Sequence, residues 1–74
     1  MPINNLQVGE KAIITKLDVK EDIKRRLLDI GLIEGTQIEC ALKSPMGNPI
    51  AYLIRGALIA IRKEDSKNIM VEVL

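Results

Sequence analysis

The apolar residues of this chain change their spacing at Gly31, which separates a predicted helix from a predicted strand. Before it, Ile23, Leu27 and Ile30 recur at spacings of four and three, as on one face of a helix. Because glycine enters the left-handed conformation without penalty, Gly31 is predicted to end the helix at its C′ position. After it, alternating residues share one face of a predicted half-buried strand: Thr36, Ile38, Cys40 and Leu42.

Local residue chemistry also marks the helix start and the other strands. Asp18, followed by Glu21, has the form of a capping box, which predicts a helix beginning near Val19. β-branched or alternating apolar residues predict four further strands, at 11–17, 50–55, 57–62 and 69–73. The stretch "SPMGNP" is rich in turn residues and predicts a loop between strands, whereas "KEDSKN" predicts a polar break with one short helical turn.

These elements predict a mainly β fold in a single domain over residues 1–74. We expect a small, partly open β-barrel of about five strands, with one α-helix between the first and second strands. Gly35, Gly47 and Gly56 stand where such a barrel needs corners, and Arg55–Gly56 is predicted to be a tight turn or bulge.

The composition argues against an enzyme. Histidine, the commonest general acid or base, is absent, and Cys40 is the only cysteine, so no Cys–His pair or Cys/His metal site can form. Cys40 falls on the apolar face of its strand and is interpreted as a small buried hydrophobe. No phosphate-binding glycine motif is present. We therefore expect no catalytic residue, no cofactor and no metal site.

Charge and aromatic content weigh against nucleic acid as a partner. Eleven Lys and Arg against ten Asp and Glu leave a net charge of +1, which is not the basic signature of a nucleic-acid binder. Tyr52 is the only aromatic residue, although stacking of bases on aromatic side chains gives roughly 1–3 kcal/mol per base. On a helix, the three successive cations 24–26 are splayed through roughly 300°, so they do not face one groove.

A protein surface remains as the partner. The turn-rich loop, an exposed strand edge and an aliphatic patch are the candidate regions, with these predicted contacts: Arg25, Arg26, Met46, Asn48, Tyr52 and Leu58. Unpaired edge strands also lead us to expect weak self-association. The polar N-terminal stretch has no apolar leader, and the longest apolar run is broken at Arg55–Gly56. We therefore expect a cytoplasmic protein that is not embedded in a membrane.

Four segments, in order along the chain, resemble the FeoA family: Leu6–Ile14 ("LQVGEKAII"), 25–39 ("RRLLDIGLIEGTQIE"), 44–56 ("SPMGNPIAYLIRG") and 59–65 ("IAIRKED"). The resemblance covers nearly the whole chain and implies an SH3-like barrel. It assigns structural roles at the helix exit, the loop, the last corner and the end of the fourth strand to Leu27, Gly31, Gly35, Pro49, Gly56 and Arg62. The family's loop usually carries an aspartate where this chain has Asn48.

The FeoA family consists of small cytoplasmic accessory proteins of bacterial ferrous iron uptake. The resemblance implies a non-enzymatic protein that binds and modulates the cytoplasmic part of FeoB, the membrane iron transporter with a cytoplasmic GTPase domain. The same fold occurs in iron-dependent repressors, so the alternative is a metal-responsive regulatory or nucleic-acid-associated module. That alternative predicts salt-sensitive binding to nucleic acid through Arg25 and Arg26.

Overall fold

A computed structural model describes all 74 residues. Its elements are, in chain order, a 3-10 turn (Ile3–Asn5), β1 (Lys11–Leu17), α1 (Glu21–Asp29), β2 (Gln37–Lys43), β3 (Ile50–Ile54), β4 (Ala57–Ile61), α2 (Lys63–Ser66) and β5 (Ile69–Val73). The strands form one antiparallel sheet in the order β4-β3-β2-β1-β5, so β4 and β5 are its edges. The predicted mainly β fold, with five strands and a helix between the first two, is confirmed.

The core is almost wholly aliphatic, as the composition requires. Inward-facing residues of all five strands pack with Leu27 of α1, with Leu32 and with the N-terminal residues Ile3 and Leu6. Cys40 belongs to this core and is fully buried, which confirms its interpretation as a small hydrophobe. Neither helix has the length and apolar composition that crossing a bilayer requires.

The helix α1 begins later than the sequence pattern indicates. Its first residue is Glu21, and its N-cap is Lys20, which makes no side-chain capping bond. The predicted capping box at Asp18 is therefore wrong. The backbone N–H of Asp18 instead donates to the carbonyl of Asn68, at 3.0 Å. This bond holds Asp18 beside the start of β5.

The end of α1 is formed as predicted. Gly31 has a φ of 86°, and its N–H donates to the carbonyl of Leu28 at 2.9 Å. The N–H of Leu32 donates to the carbonyl of Leu27 at 2.8 Å. These two bonds make a Schellman motif, in which apolar residues on either side of the glycine contact one another. Leu27 and Leu32 are both buried, so the helix end is fixed to the core.

Gly31→Ala is expected to lower the free energy of unfolding by about 1 kcal/mol or more, because a left-handed residue resists a Cβ atom. A Cβ at this position also meets the side chain of Arg55, with 2.8 Å to its Cδ. Urea unfolding of the two proteins measures the difference. Leu28→Ala, on the exposed side of α1, is the control and should change stability by less than about 0.5 kcal/mol. Wild-type stability of Gly31→Ala would contradict the assigned helix end.

A β-bulge in β2 changes the predicted face of Leu42. The pairing with β3 shifts register between Cys40, which is opposite Tyr52, and Leu42, which is opposite Ala51. A bulge adds one residue to one strand, so the side chains beyond it change face. Leu42 is consequently 50% exposed, and its predicted place beside Cys40 on the buried face is wrong.

Candidate functional site: a cleft between α1 and the edge strand β4

An opening lined mainly by apolar residues lies where the sheet ends at β4, opposite α1. It has a volume of about 340 Å³. Its lining comes from one face of α1, from the C-terminal half of β4 and from the start of α2: Ile23, Arg26, Leu27, Ile30, Ile59, Ala60, Ile61, Arg62 and Asp65. We call this opening the α1–β4 cleft.

The apolar stripe of α1 forms one wall of the cleft. Leu27 is buried in the core, and Ile23 packs partly against it. Ile30, the last residue of the stripe, remains 37% exposed. Across the opening, Ile59 packs partly against the core from β4. The core therefore leaves some apolar surface of α1 and β4 uncovered, and part of it lines this concave opening.

Two arginines and one aspartate give the cleft its charge. Arg26 lies in the last turn of α1, where a cation is favourable at the negative end of the helix dipole. Arg62 follows β4, and Asp65 lies in α2. Neither guanidinium group donates a hydrogen bond within the chain. The apolar floor of the cleft suits aliphatic side chains of a ligand, and its mainly cationic border suits a carboxylate of the same ligand.

The β3–β4 hairpin brings β4 close to the end of α1. Its turn consists of Arg55 and Gly56, with φ values of 51° and 81°. Two successive left-handed residues make the tight type I′ turn that suits the twist of a two-stranded hairpin, as predicted for this dipeptide. The side chain of Arg55 lies against Gly31, since a Cβ on that glycine would stand 3.0 Å from the Arg55 Nε. The helix end and the hairpin turn thus meet at one end of the molecule.

The structure does not bring the six predicted partner contacts together in one place. Arg26 lines the α1–β4 cleft, whereas its neighbour Arg25 does not. Met46 is 90% exposed at the tip of the β2–β3 loop, and Leu58 is 58% exposed on β4. Asn48 supports the fold, because its Oδ1 accepts a hydrogen bond from the backbone N–H of Lys63, at 3.0 Å.

Tyr52, the remaining predicted contact, lies in the core. Its side chain is 0% exposed, so it cannot be a surface contact and the prediction for it is wrong. The register pairs it with Cys40 on the buried face, and no protein group forms a hydrogen bond with its hydroxyl. Burial raises the pKa of the Tyr52 phenol and also that of the Cys40 thiol.

The six predicted structural residues lie in the core, in loops or directly after β4. Leu27 is buried, while Gly31, Gly35 and Gly56 all have positive φ. The N–H of Gly35 donates to the carbonyl of Ile14, at 2.7 Å, which joins the approach to β2 with β1. The carbonyl of Pro49 accepts from Ser44 across the loop, at 3.3 Å. Arg62 has an additional position, on the border of the cleft.

A second apolar surface covers the outer face of β2, β3 and β4. Its members are cross-strand neighbours: Leu42 beside Ala51, Ala51 beside Ala60, and Leu53 beside Leu58. The three leucines are exposed by 39% or more. The bulge in β2 brings Leu42 to this face.

Sequence reasoning missed Ile23, Ile30, Ile59 and Ala60 as lining residues of a site. The helical spacing of Ile23 and Ile30 identified them as a packed face, but spacing does not show how much of that face the core covers. A signal for β4 was present in its composition. The stretch "ALIAI" has no charge and no proline, which is unusual in a strand that forms the edge of a sheet.

Comparisons with known proteins match residues 1–73 to the FeoA domain. The chain is 27% identical over its whole length to the Fe(2+) transport protein A/Fe(2+) transporter FeoB fusion protein of Porphyromonas gingivalis, of which it spans 9%. It is 28% identical to the putative Fe(2+) transport protein A of Campylobacter jejuni, with both chains covered completely.

Solved structures of FeoA proteins have the same fold. The FeoA protein of Chlorobium tepidum is 30% identical and superposes with a TM-score of 0.95, over 100% of this chain and 70% of that chain. FeoA of Stenotrophomonas maltophilia, complexed with zinc and described as a prokaryotic SH3 domain protein, superposes with a TM-score of 0.79 at 24% identity. That superposition covers 97% of this chain and 89% of that chain, and it supports an SH3-like fold.

Proposed function

The chain belongs to the FeoA family, and on that premise we propose that it is a non-enzymatic accessory of ferrous iron transport that binds the cytoplasmic part of FeoB. The observation that carries the proposal is the fusion protein of P. gingivalis, in which a segment similar to this whole chain is joined to FeoB. A covalent link keeps two modules at a high effective concentration. Joining them in one chain is useful when the two modules contact each other.

The α1–β4 cleft supports this proposal as the contact surface. It is concave and mainly apolar. Arg26 and Arg62 lie on its border, and their guanidinium groups form no hydrogen bond within the chain. A volume of about 340 Å³ accommodates a few aliphatic side chains of a partner protein. The outer face of β2, β3 and β4 is flatter and offers no such concavity, so we assign the contact to the cleft.

To modulate FeoB, the chain must bind one conformational state of FeoB more tightly than another. A ligand shifts an equilibrium only by as much as it binds one state better than the other. We propose that the chain prefers one nucleotide state of the GTPase domain and thereby favours one state of the transporter. Titration of the cytoplasmic region of FeoB, without nucleotide, with GDP and with a non-hydrolysable GTP analogue, measures this preference. Equal affinity in all three states would contradict modulation, and no binding in any state would contradict the proposed function.

Arg26→Glu is expected to weaken binding to this region of FeoB about tenfold, because it reverses a charge on the border of the cleft. Arg25→Glu makes the same change of charge on the neighbouring residue of α1, which does not line the cleft. It is the matched control, and it should change the dissociation constant less than twofold, or about 0.4 kcal/mol. Isothermal titration calorimetry gives both values. Equal loss in the two variants would show that the whole helix surface, and not the cleft, attracts the partner.

A further inference from the structure

The free edge of β4 offers unpaired backbone groups beside the cleft. In a hairpin closed by a two-residue turn, the closing pair, here Ile54 and Ala57, exchanges hydrogen bonds. Bonded residues then alternate along an antiparallel ladder, so Leu58 and Ala60 direct their N–H and C=O groups away from β3. β4 is the last strand of the sheet, and neither residue takes part in a backbone bond outside the sheet and helices.

The two edges of the sheet differ in whether other parts of the chain cover them. The edge at β5 is covered by N-terminal residues, since Val71 and Met1 exchange hydrogen bonds of 2.8 and 3.0 Å. Pro2 also forms a bridge with Met70. The edge at β4 has no such cover, and it has no charge, proline or bulge of the kinds that protect edges in other proteins.

We propose that an extended segment of the partner, aliphatic and acidic in composition, adds to the sheet as a strand beside β4. This inference rests on the proposed function and specifies how the chain would bind its partner. The backbone of the segment pairs with Leu58 and Ala60. The side chain between these two pairs points, like that of Ile59, into the cleft toward Ile23 and Leu27. A carboxylate of the segment pairs with the guanidinium group of Arg26 or Arg62.

Charge favours this acidic segment over a second copy of the chain as the occupant of the β4 edge. A second β4 strand, with the sequence ALIAI, carries no charge, so it offers no carboxylate to the cations Arg26 and Arg62 on the border of the cleft. An acidic segment can pair with Arg26 and Arg62, which outnumber Asp65, the one acidic residue that lines the cleft. The partner strand is therefore heterologous.

Amide hydrogen exchange of the ¹⁵N-labelled chain tests the inference, with the cytoplasmic region of FeoB as the probe. We expect exchange at Leu58 and Ala60 to be slowed at least tenfold in the complex, while Ile59 and Ile61 are already protected in the free chain. Binding that leaves the Leu58 and Ala60 amides unprotected would overturn the inference and leave the proposed function standing. Absence of any binding would overturn both. Protection that grows with concentration in the chain alone would assign the edge to a second copy instead.

Ala60→Pro provides an independent test. Proline is tolerated on an edge strand where its missing N–H faces outward, but it cannot donate to an added strand. We expect it to lower the affinity at least tenfold, because the added strand loses the hydrogen bond from this N–H. Wild-type affinity of a folded Ala60→Pro protein would contradict the inference. If that variant does not fold, the exchange measurement on the wild-type chain decides.

Discussion

Ile30→Glu is expected to lower the affinity of the chain for the cytoplasmic region of FeoB by at least about 30-fold, or roughly 2 kcal/mol. Ile30 is the exposed end of the apolar stripe that lines the α1–β4 cleft. A carboxylate there must lose its water when a partner covers it, and burial of an unpaired charge is costly. It also stands one helical turn from Arg26, where it neutralises the cation that the partner requires.

Leu28→Glu is the matched control for this prediction. Leu28 is an exposed apolar residue of the same helix, 48% accessible, and it does not line the cleft. The two variants add the same charge near the same helix end, so their effects on helix stability should be similar and small. We expect Leu28→Glu to bind within about twofold of the wild type, a difference of roughly 0.4 kcal/mol. Equal losses of affinity in the two variants would show that the cleft is not the binding surface.

The second large effect is a loss of stability at alkaline pH. Burial raises the folded-state pKa of Cys40 above its ordinary value of 9.0, and that of Tyr52 above its ordinary value of 10.0. A group whose pKa is raised on folding contributes full stability below its unfolded pKa and loses it as the pH rises toward the folded pKa. Each group lowers the free energy of unfolding by about 1.4 kcal/mol per pH unit within that window.

The two losses begin at about pH 9 for Cys40 and about pH 10 for Tyr52. By pH 11 the loss from Tyr52 alone is about 1.4 kcal/mol, a sizeable part of the whole stability of a domain of this size, and Cys40 adds to it. Urea midpoints measured from pH 7 to pH 11 should therefore stay level to about pH 8.5 and then fall. The variant that combines Cys40→Ala with Tyr52→Phe should show a much flatter decline. An equally steep decline in that variant would assign the effect to other groups.

Local chemistry predicts those parts of the fold that depend on a few neighbouring residues. The helix end at Gly31 and the turn at Arg55–Gly56 were predictable because glycine and a two-residue turn each permit few conformations. The alternation of apolar residues likewise located all five strands. The capping box at Asp18 failed because a long-range bond, to Asn68, outweighs the local pattern.

The candidate site depends on information that a local pattern does not contain. Tyr52 has the same alternation whether its strand face is covered or open, so only the packed structure identifies it as a core residue. Leu42 changes face because of one extra residue in the pairing of β2 with β3. The cleft itself exists because β4 ends the sheet opposite α1, and strand order is a property of the whole chain. Of the predicted contacts, Arg26 lines this cleft and Arg25 does not, a division that the position of α1 determines.

The most direct test of the account maps the bound surface of this chain. Amide chemical shifts of the ¹⁵N-labelled protein are recorded while the cytoplasmic region of FeoB is added in the nucleotide state that binds best. We predict that the largest changes occur at the cleft, in residues 23–30 of α1 and its C-cap and in residues 58–62 of β4 and the residue after it. Changes confined to the outer face, around Leu42 and Leu53, or no changes at saturating FeoB, would contradict the account.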